Sequence, residues 1–126
     1  YRANPDSPIY EELRGLIAKT VGIVAPLQLA LAPLAAEIRA AFVYGSLAKG
    51  TDTAKSDVDL MIIGDGLDYP EVYRRLQEGE VGLGRAINPT LYSAKEFRRR
   101  RKEGHFVERV LSQPRLWVIG SDRDIE

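Results

Sequence analysis

Asp57 and Asp59 stand one residue apart where the polar run "TDTAKSD" gives way to the apolar run "VDLMII", Val58 to Ile63. If that run is a strand, residues two apart share a face about 6.6 Å apart along the chain, so both carboxylates point the same way. Carboxylates held side by side repel and lose hydration unless something positive lies between them. With oxygen donors only and no His or Cys beside them, the pair suits a hard ion, Mg²⁺ or Mn²⁺, rather than zinc. Upstream, "AAFVY" stops at Gly45-Ser46, and Ser46 is expected to cap a short helix "LAK" closed by Gly50. Such a turn aims backbone amides and a hydroxyl at one spot, which makes an anion site. A carboxylate pair for a metal beside a turn for phosphates is what a nucleoside triphosphate requires. Lys49 is a further candidate phosphate contact. An Asp pair in a polar loop is ordinary by itself; Gly-Ser at the matching distance is what sets this one apart.

Short strands and helices must position these groups. In "NPDSP", Asp6 or Ser7 can cap a helix with Pro8 at its first position, and the Ile9, Leu13, Leu16, Ile17 spacing predicts that helix, ending near Gly22. Val24 to Arg39 is a second helical candidate that Pro33 should kink or split. Strands are expected at "AAFVY" and at "VDLMII", the latter stopped by the turn at Gly64 to Gly66. Val58, Leu60 and Ile62 continue one face of the second strand, and Met61 and Ile63 the other, so it should be covered on both sides. A helix follows over Tyr69 to Gly79. "RAINPTLY" is a third extended run, with Pro89 limiting its pairing on one edge. Ser93 or its neighbour can cap a helix through the arginine run, with Gly104 as a natural break, and "RLWVIG" is a last strand before an acidic tail expected to fray. Strands alternating with helices predict an α/β or α+β layered domain.

The whole-chain numbers narrow the field. At 126 residues, with 44% hydrophobic and 29% charged residues, the chain is one globular domain rather than a disordered segment. Eighteen basic and 18 acidic residues cancel, so any basic surface is local. Seven basic and three acidic residues lie between Lys95 and Arg109. They read as a solvated helix surface or as a contact for phosphate, nucleic acid or an acidic partner. The absence of cysteine excludes a disulfide scaffold and a thiolate zinc site, and fits a cytoplasmic location. Val21 to Ala36 is apolar but broken by Pro26, Gln28 and Pro33, so no membrane partner is expected. The chain begins at Tyr1 and its only methionine is Met61, which suggests a native start upstream. His105, Trp117, Tyr44 and Tyr92 read first as cap or packing residues.

The ordered pattern Gly45-Ser46, three residues, Gly50, five residues, Ser56-Asp57, one residue, Asp59-Leu60 resembles the signature of the DNA polymerase β nucleotidyltransferase superfamily. More narrowly, it resembles the small domains called minimal nucleotidyltransferases. The resemblance implies a mixed sheet flanked by helices, with Mg²⁺ or Mn²⁺ on Asp57 and Asp59. It also implies a nucleoside triphosphate held by Gly45, Ser46, Lys49, Gly50 and Ser56. The implied reaction moves a nucleoside monophosphate to a hydroxyl of a protein, an RNA end or a small molecule, with release of pyrophosphate. Members that catalyse bring a third carboxylate from the next long strand. Here that strand is "RAINPTLY", and its Ala86, Asn88, Thr90, Tyr92 face has no acid. Asn88 matches the missing position and is counted with the nucleotide-binding residues; Glu80 could substitute only by reaching in. Two further readings follow: a degenerate nucleotide-binding regulatory domain of a DNA-binding regulator, and an antitoxin-like partner of a toxin. The first 22 residues are similar to the connector that follows a winged helix-turn-helix domain in one set of these proteins. Residues 1–40 are expected as a helical segment packing on a core of residues 41–126, together one domain.

Overall fold

The computed structural model describes residue 18 and residues 20–53 and 55–125. The capped loop and the helix expected over residues 4–17 lie outside these. The expected helix end near Gly22 is not found: a π-helical turn, Thr20–Val24, runs directly into helix α1, Ala25–Leu31. Pro33 does divide the next segment, because α1 passes into a 3₁₀ turn, Ala32–Glu37, whose second residue is Pro33. By length and composition Thr20–Glu37 could cross a membrane. In this fold it is three short helical pieces that put Ile23, Val24, Leu27 and Leu31 into the core, and Gln28 Nε2 donates to the Val118 carbonyl at 3.0 Å.

Strand β1, Ala40–Tyr44, leads through Gly45 into α2, Ser46–Lys49, and a loop returns the chain to β2, Val58–Ile63. Helix α3, Tyr69–Leu83, follows, then β3, Ile87–Tyr92, α4, Ala94–Glu103, α5, Phe106–Leu111, and β4, Leu116–Ile119. Helix α3 runs four residues past the expected Gly79, because the left-handed C-cap is Gly84. Helix α4 starts as expected, with the Ser93 hydroxyl accepting from the Glu96 amide, and ends at Gly104.

The four strands form one sheet in the order β3-β2-β1-β4. Only β2 and β3 are parallel; β1 is antiparallel to both of its neighbours. The result is a mixed sheet flanked by helices, an α+β arrangement. Edge strand β3 tolerates Pro89 because it has a single partner. Alternation splits the core as expected. Val58, Leu60 and Ile62 join Ala41, Val43, Leu27, Leu31, Val72 and Leu76 on the α1 and α3 side. Met61 and Ile63 join Ala40, Phe42, Phe97, Val107 and Val110 on the α4 and α5 side.

The acidic tail does not fray over its described residues. Asp122–Ile125 forms a 3₁₀ turn, Ile125 is buried among the Phe97 cluster, and Arg39 and Arg101 donate to the Asp124 and Ile125 carbonyls.

Candidate functional site

The sheet ends where β1 stops and β2 and β3 begin, and the register there sets a row of side chains. Tyr44 pairs with Asp59 across β1 and β2, and Asp59 pairs with Asn88 across β2 and β3. Directly paired residues share a face, so Tyr44, Asp59 and Asn88 lie side by side on the face that Met61 and Ile63 continue. Asp57, one step earlier on that face, accepts a hydrogen bond from Asn88 Nδ2 at 3.1 Å. Tyr44 is anchored by its neighbours, its hydroxyl 3.4 Å from Thr90 Oγ1 and its ring edge to face with Phe106 at 6.0 Å.

Gly45 closes the row from the β1 side. Its φ is +77°, and a Cβ added there would collide with the Asp59 carboxylate. Both the backbone conformation and the close approach therefore require glycine. Ser46 does not take the expected capping place. Gly45 is the N-cap, Ser46 is the first helical residue, and its side chain makes no capping bond. Gly45, at φ +77° and ψ −151°, is already the non-helical residue that precedes the first turn, so the helix begins one residue early. Gly50 closes α2 in a left-handed conformation and Lys49 is exposed beside it.

The loop between α2 and β2 is held by its own polar groups and by one distant residue. The Ser56 hydroxyl accepts from the Thr53 amide at 2.9 Å. Arg85, just before β3, donates to the Thr53 and Ser56 carbonyls at 2.9 and 2.8 Å and sits 3.5 Å from the Asp52 carboxylate. Sequence reading missed Arg85, because a contact across 29 residues leaves no local pattern. Glu80 does not reach in as a third acid; its carboxylate accepts from the Ile87 amide at 3.2 Å.

Electrostatics follow from this packing. Burial pushes the Asp59 carboxyl above the usual carboxylate range; the Asn88 amide pulls it back and the Asp57 charge adds to the rise. The Tyr44 hydroxyl is raised too, first by burial, against the Thr90 hydrogen bond, with Asp59 adding to it. Among the described residues no group of three or more His, Cys, Asp or Glu side chains converges. The donor set is thus two carboxylates and a carboxamide. One divalent cation fits it: two carboxylates balance its charge, and the Asn88 carboxamide presents an oxygen when rotated. A second dication would lack its counter-charge.

Residues 30–85 match the family model described as "Polymerase beta, Nucleotidyltransferase". No curated protein matches the sequence. Among solved structures the chain is similar to one described as a toxin-antitoxin with AMP-PNP. The TM-score is 0.60 at 16% identity, over 82% of this chain and 77% of that one. It is also similar to a toxin-antitoxin MntA-HpeT mutant, with a TM-score of 0.57 at 12% identity, over 80% and 76% of the two chains. At such identities the likeness is one of fold.

Proposed function

On the premise that this chain is a nucleotidyltransferase-fold protein with its polymerase β family segment at residues 30–85, we propose that it binds a nucleoside triphosphate with one divalent ion, Mg²⁺ or Mn²⁺. The observation that carries this reading is the row Tyr44, Asp59, Asn88, with Gly45 laid against the Asp59 carboxylate. It puts an acid pair and a glycine turn together at one end of the sheet. Asp57 and Asp59 would hold the ion, which supplies charge neutralisation and Lewis acidity to a phosphate. Gly45, Ser46, Lys49 and Gly50 would face the phosphates. Ser56 and Arg85 would act through the loop they fix.

The reaction suited to this arrangement is nucleotidyl transfer. An acceptor hydroxyl oxygen bonds to the α-phosphorus, the bond to the pyrophosphate oxygen breaks, and the acceptor proton goes to solvent or to a carboxylate. Asn88 can neither take that proton nor counter a second dication, so it favours ligand binding over turnover. The same observation supports the second reading, a nucleotide-sensing domain that has kept the pocket. The solved structures of similar fold support a nucleotide ligand and a protein partner of the toxin-antitoxin kind. Acceptor, base preference and cytoplasmic location belong to this proposal.

Calorimetric titration of the four nucleoside triphosphates, with and without Mg²⁺, tests it. Binding should require the ion and weaken about a hundredfold or more in Asp57→Ala, as expected for a lost metal ligand. In the same assay, Asn88→Asp should gain pyrophosphate release. Ion-independent binding, or equal binding by the Ala variant, would sink the reading.

A further inference from the structure

Beside Gly45, on the α5 side, opens a cleft of about 190 Å³ lined by Tyr44, Gly45, Phe106, Arg109, Val110 and Gln113. Its apolar wall is fixed, since Val110 is buried and Phe106 is locked edge to face with Tyr44. Its Tyr44 hydroxyl is engaged with Thr90, but two polar side chains are unpaired among the described residues. Ser112 Oγ donates to the Arg109 carbonyl and Arg115 Nη1 to the Gln113 carbonyl. Neither the Arg109 guanidinium nor the Gln113 carboxamide has a side-chain hydrogen bond or ion pair among the described residues. Several other arginines are committed: Arg85 to its loop, Arg99 and Arg100 to Glu96, Arg101 to the Ile125 carbonyl and Arg115 to Asp122; Arg98 and Arg123 are unpaired too among the described residues, but neither lines this cleft.

Charge balance says what such a cleft would take. Two carboxylates and one dication sum to zero, so the bound ion leaves the negative charge of a triphosphate uncompensated. A site completed by a third carboxylate could load a second dication for that purpose. With Asn88 in that place, the compensation must come from the protein. A free guanidinium lining the same cleft as Gly45 is placed to give it, with a planar fork that matches two phosphate oxygens. No acid lines the cleft to compete.

We propose that this cleft is an oligophosphate subsite and that Arg109 is the cation that receives the distal phosphates. The inference rests on the nucleotide reading above and specifies which side of Gly45 the phosphate chain takes.

The test is calorimetry on the whole chain with Mg²⁺ and three probes: ATP, AMP and inorganic tripolyphosphate. Wild type, Arg109→Ala and Arg109→Lys are compared, and thermal midpoints verify that all three fold. Arg109 is exposed, so the midpoints should agree. Arg109→Ala should weaken ATP and tripolyphosphate about tenfold or more, the range of a charge-assisted hydrogen bond, while AMP changes by less than about twofold. Lys should restore part of the loss. Equal ATP affinity in wild type and Arg109→Ala overturns the inference and leaves the nucleotide reading intact, as does an equal loss for AMP and ATP. If the wild type binds no nucleotide, the nucleotide reading fails. Tripolyphosphate bound through Arg109 would then still support the subsite, and its failure to bind would overturn both.

Discussion

Asp59 is under two opposing demands, and its protonation shows which prevails under given conditions. Burial holds its carboxyl above the ordinary range, with Asp57 adding to the rise and Asn88 opposing it. A carboxyl raised in the folded state keeps its proton where the unfolded chain has lost it. Its contribution to stability is therefore fully present below the unfolded value and disappears as pH rises through the folded value. Urea midpoints should show this: relative to Asp59→Asn, the metal-free wild type should gain stability on acidification into the carboxylate range. A cation needs the ionised form, so Mg²⁺ affinity of the wild type should fall over that same range, with proton release on binding in calorimetry. Both carboxylates and Asn88 were legible in the sequence, because strand alternation places side chains without further information. Arg109 was counted only as one charge in a basic stretch. Its distinction is where α5 leaves it, and a helix of six residues between Gly104 and "SQP" carries too little periodicity to be read.

At the scale of elements, the strands were the most legible parts. β1, β2, β3 and β4 fall on the apolar runs expected for them, and α4 on its Ser93 and Gly104 signals. Boundaries set by tertiary contact were not. The tail reads as polar, yet Ile125 finds a place beside Phe97 and the two preceding aspartates are held by arginines. The arginine run also divides once folded: Arg101 turns in toward the tail, Arg100 lies 5.7 Å over the Tyr92 ring, and Lys95, Arg98, Arg99 and Lys102 line one open side of α4. Arg85 illustrates the same limit for the loop before β2. Its donations to the Thr53 and Ser56 carbonyls fix the approach to Asp57, so Arg85→Ala should weaken Mg²⁺ about tenfold. A smaller effect in Arg85→Lys, read by calorimetry at unchanged thermal midpoint, would separate positioning from general destabilisation.

The whole molecule balances two cores across one sheet. The α1 and α3 side is built on Leu27, Leu31, Val72 and Leu76 and takes in Leu47 of the short helix α2. The α4 and α5 side carries the acid row at one end and the docked tail at the other. Ile125→Ala should cost about 2 kcal/mol of unfolding free energy, measured by urea titration, as for a buried aliphatic side chain that leaves a cavity. It should leave Mg²⁺ affinity unchanged, since Asp57 and Asp59 lie at the opposite sheet end. The chain's covalent durability follows from another placement. Asparagine ages to aspartate when the next residue's backbone nitrogen attacks its side-chain carbonyl, and proline has no amide hydrogen with which to complete that ring closure. Both asparagines of the chain, Asn4 and Asn88, are followed by proline. The carboxamide beside the acid pair is thus shielded from this route of conversion into a third carboxylate. The site's charge is thereby protected against the commonest route of asparagine ageing.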